Sequence, residues 1–306
     1  METLATLVAA SITAGTPMLL AAIGILVHER SGVVNLGVEG MMLVAAIVAF
    51  AVTHDSGSHA LGFAAGAVAG MALAAVFAFF ALGLHANQYA TGLAIALLGT
   101  GASAFIGLPY SGQGLPARVT DGIAGARDLP ILGPMLFGHH PLVYLAPLLV
   151  AAVAWLLFRT RAGLVLRAVG ESPESAHALG ISVRGVRLAA LLFGGACAGL
   201  AGAYLATVYT PLWAENMTAG RGWIALALVV FATWRPLRVL VGAYLFGGVT
   251  MLQLYLQGIG VQAPSQLMSM APYLATIVVL ALISRNPRWI RLNMPASLGQ
   301  PFNPNR

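Results

Sequence analysis

The chain has 306 residues, of which 59% are hydrophobic and only 8% charged, whereas an ordinary soluble domain carries about a quarter charged residues. A water-facing surface needs charge, and here the charges cluster between apolar runs as long as the ~20 residues that cross hydrocarbon, so the composition excludes a soluble globule. The basic residues are all arginines and give a net charge of +6, but they stand in short loops with no basic stripe interleaved with aromatics, which reads as membrane topology and not as nucleic-acid binding.

The first segment, 3–27, contains no Asp, Glu, Lys or Arg and predicts a transmembrane helix. No positive leader precedes it, so the helix is expected to stay in the mature protein. The next, 33–53, is irregular because Asn35 and Glu39 stand near its start. Segments 60–84 and 89–107 are again uncharged spans, and Gly62, Gly66 and Gly70 form a small-residue stripe suited to close helix packing. The loop 108–140 carries Arg118 and Arg127 offset by Asp121 and Asp128, is rich in Gly and Pro, and reads as an ordered, non-helical loop. Its His139 and His140 have no third ligand at useful spacing and read as a solvated pair, not a metal site.

Segments 141–158 and 188–208 are uncharged spans; the second holds a small-residue stripe at Gly195 and Gly199. It also holds Cys197, the single cysteine and hence without an intramolecular disulfide. Segment 222–233, bracketed by Arg221 and Arg235, reaches only ~18 Å at 1.5 Å per residue against a ~30 Å core. Short or interrupted spans often border a transport path, because non-helical backbone at membrane depth must line a cavity or be buried in protein. An ordinary tilted helix is the other reading. Segments 239–256 and 267–284, the latter with Pro272 as a kink site, complete the series. The fold class is thus all-α, a polytopic membrane protein of about eight to ten transmembrane helices, one or two of them short or re-entrant, forming a single domain over 1–306.

Arginine placement orients the spans. Arg159, Arg161, Arg167, Arg184 and Arg187 in the loop 159–187, and Arg285, Arg288 and Arg291 in the tail, mark both as cytoplasmic. The loop 108–140 is then external. Nine spans place the N-terminus outside and the C-terminus inside, and a re-entrant segment reverses the N-terminal side.

Within the cytoplasmic loop, Arg167-Ala-Val-Gly-Glu-Ser-Pro-Glu-Ser-Ala-His-Ala-Leu-Gly180 encodes a short capped helix. Ser172 suits the N-cap, Pro173 the first helical position, Glu174 the positive dipole end and Gly180 the left-handed closing residue. This loop, with the following Phe193-Gly-Gly-Ala-Cys-Ala-Gly-Leu-Ala-Gly-Ala203, resembles permeases of the branched-chain amino acid, ribose and nucleoside class of ABC importers. Glu29-Arg-Ser-Gly-Val-Val-Asn-Leu-Gly-Val-Glu-Gly-Met-Met42 resembles the simple-sugar and nucleoside branch, as do Trp234-Arg-Pro-Leu, Gly242-Ala-Tyr-Leu-Phe-Gly-Gly248, Leu252-Gln-Leu-Tyr-Leu-Gln257 and the tail from Met294 to Phe302. The resemblance runs from about residue 29 to 302, with no match in the loop around His139 and His140.

The resemblance implies that Arg167, Glu171, Ser172, Pro173, Glu174, Ala176, Leu179 and Gly180 couple to an ATPase. It implies as partners a second permease subunit in a heterodimer, a cytoplasmic ABC ATPase and an external solute-binding lipoprotein. The chain itself would bind no cofactor, ATP and Mg belonging to the ATPase, and would sit multi-pass in a bacterial plasma (inner) membrane with its C-terminus cytoplasmic.

Polar residues stranded in apolar spans are the candidates for the substrate path, since burying them unpartnered is costly. Asn35 and Glu39, at i and i+4, fall on one face of a helix and could bond a hydroxylated solute or each other. The competing reading has Glu39 pairing with Arg30 or capping backbone near the cytoplasmic surface. Asn87, Gln88, Gln253 and Gln257 follow, and Trp223 suits stacking on a base or sugar, or interfacial anchoring. An ion-coupled carrier usually buries several ionisable groups, and Glu39 is the one acidic residue clearly inside a predicted span. No Ser/His/Asp, His-Glu-x-x-His or CxxC pattern supports an enzyme, and no P-loop is present, so ATP hydrolysis falls to a partner. The expected function is the path-forming subunit of an ATP-driven importer of a nucleoside, with a simple sugar or a secondary transporter as alternatives.

Overall fold

The computed structural model describes residues 2–115, 122, 125, 133–260, 270, 274, 277, 278, 281 and 293–303. Ten α-helices order them: α1 (Glu2–Arg30), α2 (Val38–Ser56), α3 (His59–Ala78), α4 (Gln88–Gly107), α5 (Pro141–Arg159), α6 (Arg161–Glu171), α7 (Pro173–Ala178), α8 (Val183–Tyr204), α9 (Arg221–Phe231) and α10 (Pro236–Gly258). Single π-helical turns extend α3 to Gly83 and α8 to Tyr209. Seven of the helices are long and apolar enough to cross a membrane, and α9 is too short to do so alone. The chain is accordingly a polytopic all-α membrane protein. The predicted span 267–284, with Pro272, lies outside the described residues except at a few helical positions. Arg118, Arg127, Asp121, Asp128, Arg285, Arg288 and Arg291 also lie outside them.

Helix α1 is apolar on every side and becomes the buried axis, with Leu19, Leu20, Ala21, Ala22 and Ile23 fully inaccessible. It packs on α8, α9 and α10. Pro17 interrupts its ladder by lacking an N–H, and the Tyr204 hydroxyl donates to the Thr13 carbonyl, the acceptor that Pro17 leaves free, at 3.4 Å. The predicted glycine stripes meet each other: a methyl on Gly70 would strike Gly195 O, and one on Gly199 would strike Gly66 O. Backbones this close exclude any larger residue from the α3–α8 seam. The outer flanks carry Leu97, Phe105, Trp155 and Leu245, all well over half exposed, as a surface solvated by lipid requires.

One sequence expectation is corrected here. Helix α2 starts at Val38, not near residue 33, so Asn35 and Glu39 do not share a helix face. Residues 31–37 instead climb beside α4: Val34 N donates to Gln88 Oε1 at 2.9 Å, Leu36 abuts Gly92, and Gly40 lies against Ile95, Ala96 and Gly99. Passing from the level of Gln88 to that of Ala96 lifts the start of α2 roughly 12 Å into the membrane at 1.5 Å per residue. Residues 210–220 mirror this from the opposite end. Leu212 bridges to Gly114, Trp213 packs among Ala46, Ile47 and Phe50, and the chain then descends to α9. Ile224 touches Met18, midway along α1, so α9 is a half-span beginning at mid-membrane depth, as its length predicts.

Candidate functional sites at mid-membrane depth and at the arginine-rich end

The two interrupted crossings meet at Glu39, which is 5% exposed. Its Oε1 accepts from Thr218 Oγ1 at 2.5 Å and from Gly220 N at 2.8 Å, and its Oε2 accepts from Gly222 N at 2.6 Å. The first N–H groups of a helix have no intrahelical acceptor, and at this depth no bulk water supplies one. The carboxylate fills that need for α9 and lies at the positive end of its dipole. Gly220 takes φ +80, and a side chain at residue 222 would meet Glu39 Oε2, so both positions call for glycine. Of the two structural readings of Glu39, backbone capping is the one present, but at mid-membrane depth and not near the membrane surface; Arg30 donates instead to Trp234 O, at 3.2 and 2.8 Å. Asn35 Oδ1 accepts from Gly37 N at 2.8 Å and shapes the turn before α2.

The rest of the junction is more open. Glu215 and Asn216 are exposed, Trp223 is 38% exposed, and Arg221 lies over the Tyr209 ring at 5.6 Å while its Nη1 donates to Met217 O and Thr218 O at 3.3 and 3.1 Å. The other path candidates lie elsewhere. Asn87 Oδ1 caps α4 by accepting from Ala90 N at 3.0 Å, and Gln88 braces 31–37 and also donates weakly to Gln300 O. Gln253 and Gln257 sit one turn apart on α10, which packs chiefly on α1.

At the arginine-rich end the predicted capped helix is α7. Ser172 Oγ accepts from Ser175 N at 3.3 Å, and Gly180, at φ +80, donates its N–H to His177 O at 2.8 Å. Glu171, Glu174, Leu179 and Gly180 are exposed, Leu179 by 81%. Pro173 and Ala176 point inward, Ala176 packing with Val169, Val183 and Phe302. Arg167 folds back over the Phe158 ring at 5.5 Å. Pro173, Ala176 and Arg167 therefore shape the knob, while the exposed set presents it.

A family model described as branched-chain amino acid transport system / permease component matches residues 7–284. The chain belongs to this permease family. It is 44% identical to a putative glucose ABC transporter permease protein of Haloferax volcanii, over 96% of each chain. It is 32% identical to a nucleoside ABC transporter permease protein of Lactococcus lactis, over 92% of this chain and 93% of the relative. A guanosine ABC transporter permease protein of Bacillus subtilis is likewise 32% identical, over 91% and 92%. No solved structure gives a significant match.

The permease also uses residues that sequence reasoning passed over. Arg187, 1% exposed, donates from Nε to Ser31 O at 3.1 Å, from Nη1 to Gln300 O at 3.2 Å and from Nη2 to Ser297 Oγ at 3.2 Å. It thereby ties the start of α8 to both the 31–37 loop and the tail 293–303, whose Phe302 packs against α7's Ala176. In the sequence it reads as one of five arginines marking the end of the spans. His139 and His140 are a second correction: both are buried, not solvated. His139 Nδ1 lies 3.2 Å from Thr13 Oγ1, and His140 Nδ1 accepts from Leu142 N at 3.2 Å, capping α5. They line a cavity of about 240 Å³ with Tyr204 and Tyr209, and no cluster among the described residues could hold a metal ion.

Proposed function

We propose that this permease forms the translocation path of an ATP-driven importer for a nucleoside, with ATP hydrolysed by a separate cytoplasmic ABC ATPase that docks on α7. The observation that carries the reading is the similarity to nucleoside and guanosine permeases over more than nine-tenths of each chain. The geometry supports it: α7 is an exposed, well-capped knob, and two interrupted crossings meet at mid-membrane depth, where transport paths are commonly built. In this reading the arginine-rich end is cytoplasmic, as is the C-terminus, by the bias of arginine toward that face. A second permease subunit in a heterodimer and an external solute-binding lipoprotein complete the assembly. A simple sugar is the second reading, favoured by the higher identity to the putative glucose permease.

The test is tag-purification of the native complex in mild detergent, with uptake measured in cells lacking and regaining this chain. Copurification of an ATP-binding subunit, and guanosine uptake that disappears and returns with the chain, are expected. Loss of glucose uptake alone would move the assignment to the sugar. A chain that purifies without any ATP-binding subunit would overturn the importer reading.

A further inference from the structure

Residues 214–220 pass alongside α2 between the level of Phe50, where Trp213 packs, and the level of Glu39, where Thr218 and Gly220 bond. Their backbone is not helical, and Asn216 and Ala219 take left-handed conformations, φ +56 and +47. Irregular backbone at this depth survives only inside protein or beside water. Yet Ala214, Glu215, Asn216 and Ala219 are exposed, and neither the Glu215 carboxylate nor the Asn216 amide has a hydrogen-bond or ion-pair partner among the described residues. A carboxylate facing hydrocarbon at this depth is strongly disfavoured, so this side of the segment faces water.

We propose that Glu215, Asn216 and Arg221 form a solute-contact site on the stretch that runs from the 108–115 end down to the mid-membrane start of α9, for a neutral molecule bearing vicinal hydroxyls. The proposal rests on the importer reading and names where this chain touches the solute. A carboxylate accepts from two adjacent hydroxyls, and the neighbouring amide both donates and accepts, a pairing suited to a diol. The Arg221 guanidinium is fixed by Met217 O, Thr218 O and the Tyr209 ring, bonds the carbonyl of the residue that follows Asn216, and adds a positioned donor. Ribose and hexose share the recognised chemistry. Glu39, by contrast, spends both oxygens on backbone and Thr218, which removes it from solute contact.

The single native cysteine, Cys197, is buried, which makes thiol accessibility a clean probe. In the intact complex in membrane vesicles, with Cys197→Ser as parent, Glu215→Cys and Asn216→Cys are treated with a charged, membrane-impermeant methanethiosulfonate, with and without saturating guanosine or glucose. Labelling of both, slowed severalfold by the transported solute, is expected. Leu97→Cys, on the lipid flank, should stay unlabelled. Glu215→Gln should raise the KM for uptake about tenfold with assembly unchanged, as for loss of one charged acceptor. Protection by guanosine alone or by glucose alone tells which hydroxylated class is carried. Cysteines that resist labelling in an active complex, or that react at one rate with and without solute, overturn the site while leaving the importer reading intact. If the wild-type complex takes up neither solute, the nucleoside and glucose assignments fall, and labelling still decides whether the segment faces water.

Discussion

Glu39 Oε2 accepts the Gly222 N–H at 2.6 Å, so a carboxylate in the first turn of α2 closes the N-terminus of α9, 183 residues further along the chain. Two helices that each start at mid-membrane depth are thereby held end to flank by one side chain. Their starts cannot be solvated by bulk water, and this contact decides what Glu39 does.

Replacing Glu39 by Ala should unfold the junction. It leaves the Gly220 and Gly222 N–H groups and the Thr218 hydroxyl without their acceptor, at ~1–3 kcal/mol for each buried group left unpaired. Glu39→Gln retains one acceptor oxygen and should lose about half as much. Thermal unfolding of the purified complex checks this; a Glu39→Gln protein of unchanged melting temperature that no longer transports would restore a direct solute role.

Arg187→Leu should loosen the tail from the loop 31–37 and from α8, because Ser31 O, Gln300 O and Ser297 Oγ all lose one shared donor, leaving Gly299 N on Gly32 O as the direct tie to the loop. Limited proteolysis at the carboxyl tail should quicken about tenfold, equivalent to ~1.4 kcal/mol of lost docking, with the long helices still protected. An unchanged cleavage rate would show the tail to be held by its other anchors, Ser297 N and Oγ on Gly170 O, Gly299 N on Gly32 O, and the packing of Phe302.

Ala176 and Leu179, three residues apart, should answer in opposite ways. Ala176→Glu forces a carboxylate into the cluster of Val169, Val183 and Phe302 and should lower stability by several kcal/mol. Leu179→Glu stands on an 81% exposed site, so folding should be untouched while the ATPase no longer copurifies. Retained ATPase binding with Leu179→Glu would move the docking surface off α7.

Gly70→Val should be the most damaging single substitution in the α3–α8 seam, since the added carbons collide with the Gly195 backbone. Overpacking typically costs ~1–3 kcal/mol, with more expected where the obstacle is main chain. Gly101→Ala, with nothing within 4 Å of its new methyl, should be neutral or stabilise α4 by up to ~1 kcal/mol. Equal melting temperatures for the two variants would contradict the packing argument.

What the sequence by itself determined is local or one-dimensional: apolar runs long enough to cross a membrane, arginines that mark one end, small residues at fourfold spacing, and the Ser172-to-Gly180 capped helix. Each needs only neighbours within a few residues, and among the described residues seven long apolar helices, the glycine stripes and the capped helix appear where those neighbours predict them. The tertiary structure decided the rest. Asn35 and Glu39 parted because α2 begins only where α4 opens space at Gly92 and Gly99, His139 and His140 are buried because α1 and α5 close over them, and Arg187 became a brace because the tail folds back beneath it. No periodicity records how deep a non-helical segment lies, and no local rule pairs Glu39 with Gly222. Those relations arise when irregular backbone, barred from lipid, must find its hydrogen-bond partners in distant parts of the chain or in water.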